Sequence, residues 1–222
     1  MIQTVLIRKE QMMSSRWSGG TTTQIDLYPE GTTYGARDFT FRVSSAVIEE
    51  SPSQFTALPD YQRWITMLSG PVVLRHELES EIDQHELQPL QVYRFDGGTP
   101  TSSVGEAKDF NLMLRKGLVG NMTAFSIGPE ADSRWIARWL AERSPEIQGH
   151  LAVYWPETHS AAQGSSATPA TQETALRILV ENDEVLLNRG DYLRLSGAVK
   201  ALKEVQLALA FDSSLLLLYM ET

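Results

Sequence analysis

Cysteine is absent from the 222 residues, so no disulfide, thiolate nucleophile or thiolate metal site can form. That absence fits a reducing compartment. Basic residues are few: 19 Lys and Arg stand against 28 Asp and Glu, a net charge of −9. With no basic run, the balance argues against a broad nucleic-acid footprint, which needs clustered Lys and Arg. Long apolar runs are missing as well. The longest, Leu215 to Met220, is far too short to span a bilayer, and Met1 to Ile7 has neither a charged leader nor an apolar segment of signal length. These absences predict a soluble cytoplasmic protein with no membrane or nucleic-acid partner.

Catalytic and cofactor motifs are equally scarce. The glycines of "SRWSGGTTTQI" (Ser15 to Ile25) are followed by no Lys, which a P-loop needs, and by no third Gly and helix, which a dinucleotide fingerprint needs. No Gly-x-Ser-x-Gly elbow occurs. The four histidines, His76, His85, His150 and His159, include no His-x-His pair, and Leu78 stands where a second strand histidine would follow His76. His76 therefore reads as a strand residue facing a cavity or solvent, and neither a metal nor a cofactor is expected.

What is present is β-sequence. Phe39 to Ala46 alternates with period two, placing Phe39, Phe41 and Val43 on one face and Thr40, Arg42 and Ser44 on the other. Thr21 to Tyr28, Val72 to Glu77, Val92 to Asp96, Phe110 to Arg115 and Ala175 to Val180 read as further strands, and strand signals continue to the C-terminus. Short strands at close spacing predict an all-β sandwich or barrel rather than βαβ units. One short helix is expected at 133–143. Ser133 would cap it, Ser144-Pro145 would stop it, and Trp135 with Trp139 and Ile136 with Leu140 form i,i+4 pairs. Such a helix can lie over a sheet or anchor a homodimer. His159 to Thr174 has no large apolar side chain and reads as an exposed loop. Leu87 to Gly97 and Leu187 to Gly197 share Leu, a turn, an alternating strand and Gly, a faint repeat that suggests two similar β-modules.

The chemistry-bearing residues sit on these strands. Arg42 with Ser44, and Asn111 with Met113, each project to one face of their strand, and a Pro59-Asp60 turn delivers Arg63 to the start of another. An inward arginine needs an anionic partner or a wet cavity. Two readings stay open from the residues alone. The arginines hold a small carboxylate with bidentate forks, or they are surface or ion-paired strand residues.

The motifs together resemble the HutD/Ves family. Its Gly-Gly-x-Thr-x-Glu-Ile is matched by Gly19 to Ile25, and its Phe-x-Trp-Arg-Val-Ser-x-Ala by Phe39 to Ala46. Its Phe-Ser-x-Phe-Pro-Gly-x-x-Arg is matched by Phe55 to Arg63, and Asp-Phe-Asn-Leu-Met stands intact as Asp109 to Met113. The resemblance implies a cupin-like fold with two double-stranded β-helix (jelly-roll) barrels in one chain, a bicupin split as 1–118 and 119–222. It also implies a non-catalytic binder of an acidic intermediate of histidine utilisation, N-formylglutamate being the favoured ligand. Carried over residue by residue, the pocket would use Arg42, Ser44, Arg63, Asn111 and Met113, with Gln24 close by. Gln24 replaces the family's Glu, Asp60 its Gly, and Trp17 lies two residues nearer the glycines. The alternative is a metal-free isomerase or hydrolase of a small carboxylate using Asp109, His76 or Gln24.

Overall fold

The computed structural model of the chain describes residues 1–17, 19–129, 134–157, 175–209 and 211–222. These residues divide into two compact units, Gln11–Met122 and Met1–Glu10 with Thr123–Thr222. In chain order, β1 (Gln3–Ile7) comes first, then β2 (Met13–Trp17), β3 (Gly20–Tyr28), β4 (Phe41–Ile48), β5 (Ser53–Gln54), β6 (Tyr61–Ser69) and β7 (Val72–Glu77). After these come β8 (Ile82–Leu87), β9 (Tyr93–Asp96), β10 (Thr101–Val104) and β11 (Ala107–Arg115). The remainder is β12 (Gly120–Ile127), α1 (Trp135–Trp139), β13 (Gln148–Tyr154), β14 (Leu176–Val180), β15 (Asp183–Leu187), β16 (Tyr192–Ala198), α2 (Val199–Leu202), β17 (Gln206–Ala208) and β18 (Ser213–Glu221). The fold is mostly β. No helix among the described residues is long and apolar enough to cross a membrane.

The unit Gln11–Met122 holds a six-stranded sheet, β2-β3-β4-β11-β6-β9, and a four-stranded sheet, β5-β10-β7-β8. Alternation explains how the first is built. Phe41 and Val43 of β4 and Leu112 and Leu114 of β11 are fully buried on one face, which leaves the intervening residues for the other. Ile65, Met67, Val72, Leu74, Leu87 and Phe95 form one apolar cluster of this unit. Phe39, Leu58, Tyr61 and Met113 form another. Each such side chain contributes about 1.5–3 kcal/mol by burial.

In the other unit, β1-β16-β13-β18-β12 form a five-stranded sheet and β15-β14-β17 a three-stranded one. Because β1 pairs antiparallel with β16 from Gln3↔Ser196 to Ile7↔Tyr192, Met1–Glu10 belong with this unit, whereas the sequence split places them with the first module. Its core gathers Leu151, Val153, Leu193, Leu195, Leu215 and Leu217 with Ile136 and Leu140 of the α1 region. The two copies of the faint repeat share a layout. Leu87 and Leu187 are the buried last residues of β8 and β15, and the chain then turns into β9 and β16.

The helices correct the sequence reading. Ser133, the expected cap, and the expected loop at 159–174 lie outside the described residues. The helix itself is α1, five residues rather than the expected run to 143, and no side chain caps it at Arg134. Beyond Leu140 the amides turn to carbonyls three residues back, Ala141 to Arg138 at 3.1 Å and Arg143 to Leu140 at 3.0 Å. That is 3₁₀ geometry, which does not continue an α-helix. Lys203 Nζ takes the Ala141 and Arg143 carbonyls at 3.3 and 3.2 Å. Trp135 stacks on Trp139 at 5.5 Å and against Phe125 at 3.8 Å between centroids, so the helix packs within its own unit. A second short helix, α2, was read as strand. It is one turn that buries Val199 and Leu202, three apart, in the core.

Candidate functional site

Strand register brings the site together. On β4, Arg42, Ser44 and Ala46 share a face, and across the ladder they oppose Met113, Asn111 and Asp109 of β11. On the far side of β11, Arg63 of β6 opposes Met113. On the near side of β4, Thr22 and Gln24 of β3 oppose Ala46 and Ser44. Side chains at every second position of four neighbouring strands therefore share one face of the six-stranded sheet. All of those named except Gln24 line a cavity of about 190 Å³. This is below the usual range for drug-sized ligands and suits a small metabolite.

The two arginines lie in that cavity, each only 6% exposed. Arg42 donates from Nη1 to Ser44 Oγ at 3.1 Å and from Nε to Gln24 Oε1 at 3.3 Å, while Nη1 lies 3.9 Å from Met113 Sδ. Its guanidinium carbon sits 4.3 Å from the Tyr34 ring centroid. Arg63 is held between rings instead, 4.9 Å from the Phe55 centroid and 5.2 Å from that of Phe95. Its Nε is buried and bonds to nothing among the described residues, and the same holds for Asn111 Oδ1 and Trp17 Nε1. Trp17, Arg63 and Asn111 all line the cavity. Buried polar atoms ordinarily find partners, so three orphans around one cavity amount to an unfilled set of hydrogen-bonding positions.

Burial sets the electrostatics. It pulls Arg63 below the ordinary arginine range to about 10, with Arg42 adding repulsion and Asp109 and Tyr34 working against the shift. Arg42 is lowered by burial too. Asp109, 5% exposed, moves the other way: burial raises its carboxyl to about 6, although the Ala46 amide and both arginines favour the ionised form. Its Oδ1 accepts the Ala46 N–H at 3.0 Å.

Of the six sequence-expected site residues, Arg42, Ser44, Arg63, Asn111 and Met113 line the cavity. Gln24 does not. Its side chain accepts from Arg42 and so orients that guanidinium from behind, just before the register shift that separates it from Asp26. Tyr34, Trp17, Phe55 and Thr22 also line the cavity and were not expected there. Tyr34 comes from the segment between β3 and β4, which has no periodic pattern. The Tyr61 hydroxyl and the Arg115 guanidinium, donating to the Arg37 and Phe39 carbonyls, tie that segment down. Burial would raise the Tyr34 phenol, but the Arg37 hydrogen bond and charge, with the Thr56 hydrogen bond and the Arg42 charge, together outweigh it and leave the value lowered.

Trp17 is placed by the glycine pair that follows it. A Cβ on Gly19 would sit 2.3 Å from the Trp17 ring, and Gly20, at φ +149°, would press one to 2.0 Å from the Val47 carbonyl oxygen. The glycines therefore seat an aromatic wall and join β3 to β4; they do not cradle a phosphate.

His76 lies outside the cavity lining. It is 3% exposed, its Nδ1 is 2.9 Å from Thr101 Oγ1, and its ring packs against Phe95 and Tyr93. Among the described residues no three His, Asp or Glu side chains converge as a metal site.

The HutD family model matches residues 9–137. No curated protein matches the chain. Among solved structures, a conserved protein of unknown function from Pseudomonas aeruginosa PAO1 is 16% identical, covering 99% of this chain and 100% of its own at a TM-score of 0.70. HutD from Pseudomonas fluorescens SBW25, solved in a formate condition, is 20% identical, with 99% and 100% covered and a TM-score of 0.60. The Solanum melongena vicilin, described with different anionic ligands in structurally similar pockets, is 10% identical, with 97% and 84% covered and a TM-score of 0.51. These likenesses are of fold, and the fold is cupin-like.

Proposed function

The chain belongs to the HutD family, and from that premise we propose that it is a metal-independent receptor for a small acidic metabolite. The ligand we favour is an intermediate of histidine degradation such as N-formylglutamate, its binding modulating histidine utilisation in the cytoplasm. One observation carries this reading: two buried arginines and the orphaned Arg63 Nε and Asn111 Oδ1 face the same small cavity. Holding two desolvated cations near each other costs stability unless an anion offsets it. A carboxylate across Arg42 and Arg63 supplies that offset through charge-assisted hydrogen bonds, and the Asn111 amide meets a formyl or amide group. The Solanum melongena vicilin, of similar fold, is described with anionic ligands in its pockets, which is in keeping with an acidic ligand for this fold.

Each unit pairs a larger sheet with a smaller one, six strands with four and five with three. We read these as two cupin-like double-stranded β-helix barrels, a bicupin in which the barrel of Gln11–Met122 carries the ligand. Calorimetry with N-formylglutamate, urocanate and glutamate tests the function. Saturable binding of N-formylglutamate supports it, and no heat at millimolar ligand with the protein folded removes it. A metal-free isomerase or hydrolase is the second reading, favoured by the buried Asp109 carboxyl with its pKa near neutrality. Ligand recovered chemically unchanged after prolonged incubation decides for the receptor.

A further inference from the structure

Among the described residues Asp109 is the one acidic side chain lining the cavity, and it is poorly used. Its Oδ1 accepts one backbone N–H, and neither Arg42 nor Arg63 forms an ion pair with it among the described residues. A buried carboxylate beside two arginines would ordinarily close such a pair. Here Arg42 is held by Gln24 and Ser44, and Arg63 is clasped between Phe55 and Phe95. The charged and titratable groups facing Asp109 are Arg42 from β4, Arg63 from β6 and, from the segment before β4, Tyr34 with Arg37 behind it. With Asp109 ionised the two lining arginines leave the cavity one positive charge. With Asp109 protonated they leave two.

We propose that the cavity selects dicarboxylates and that Asp109 takes up one proton from solvent as such a ligand binds. One ligand carboxylate lies across the guanidiniums, and the Asp109 carboxyl, now neutral, donates its O–H to an oxygen of the second. Charge is then matched, two against two, and no like-charged carboxylate pair is left facing inside a buried site. A monocarboxylate needs no proton, because an ionised Asp109 already leaves the cavity matched to it. This selectivity rests on the receptor reading above and adds the ligand's charge class and its coupling to pH. Near-neutral titration of the free carboxyl places the coupling in a range that can be measured, since Arg63 stays ionised to about 10.

The test is calorimetry with N-formyl-L-glutamate, a dicarboxylate, and with acetate, at pH 6, 7 and 8 in two buffers of different ionisation enthalpy. The dicarboxylate should bind with close to one proton taken up at pH 8, its Kd rising about tenfold between pH 7 and 8. Acetate should bind without uptake. In Asp109→Asn, which keeps one acceptor and supplies a neutral donor, dicarboxylate affinity should lose its pH dependence. If that variant does not fold, proton uptake by the native protein decides alone. Dicarboxylate binding with a flat Kd and no uptake overturns the proposal and leaves the receptor intact. Absence of binding by either acid at every pH overturns both.

Discussion

Replacing Arg63 by methionine separates a residue kept for binding from one kept for stability. Its depression from the ordinary arginine range to about 10, at roughly 1.4 kcal/mol per pH unit, means the ionised side chain costs the fold on the order of 3 kcal/mol. The Phe55 and Phe95 rings, 4.9 and 5.2 Å away, return about 1–2 kcal/mol through cation–π attraction. Methionine keeps much of the apolar stem and carries no charge. Arg63→Met should therefore be as stable as the native protein or about 1–2 kcal/mol more stable in urea unfolding at pH 7. The penalty belongs to the charged form, so it is present at neutral pH and relieved as pH rises through 10. The difference between the two proteins should shrink there. Native protein at one hundred times the ligand Kd should gain about 2.7 kcal/mol, and the variant should gain nothing from N-formylglutamate. A variant destabilised by more than about 2 kcal/mol whose midpoint still climbs with the acid would show that Arg63 is kept for stability and not for binding.

Arg42→Ala should weaken N-formylglutamate binding by about 2–5 kcal/mol in calorimetry, and Gln24→Ala by less, because Gln24 only orients Arg42. Gly20→Ala should lower unfolding stability by about 2 kcal/mol or more, since its Cβ would meet the Val47 carbonyl at a positive φ. Asp191, 2% exposed, accepts from the Lys9 and Asn188 amides and from Arg8; Asp191→Ala should cost about 2–4 kcal/mol in urea. Burial, with Arg194 adding to it, lowers His150 from 6.5 to about 4. The unfolded chain then binds more protons between those values. Stability should fall by up to about 3 kcal/mol as pH drops from 6.5 to 4, and His150→Gln should flatten that part of the profile.

Single strands were legible because alternation is a local property. The Arg42 and Ser44 face of β4 and the Asn111 and Met113 face of β11 follow from period two alone. Their meeting depends on register, Arg42 opposite Met113 and Met113 opposite Arg63, which no single strand's pattern encodes; the order of the family motifs stood in for it. Tyr34 was invisible because the segment that carries it has no period and is held by Tyr61 and Arg115 from elsewhere in the chain. Asp109 was read as a motif residue and as a candidate acid. Its burial beside two arginines, which makes it chemically unusual, is a tertiary property. The helix was overextended because Ile136 and Leu140 keep helical spacing up to the point beyond which the hydrogen bonds shorten to three residues. One turn of α2 is too short to show any period.

In the proposed function, Arg42 and Arg63 hold a small acid in the cavity of the Gln11–Met122 unit. A crystal structure with N-formyl-L-glutamate at saturating concentration tests it most directly. Ligand density should fill the cavity, with one carboxylate within hydrogen-bonding distance of both guanidiniums and the formyl group at Asn111. A ligand seated away from the two arginines, or a cavity left without it at saturation, would contradict the account.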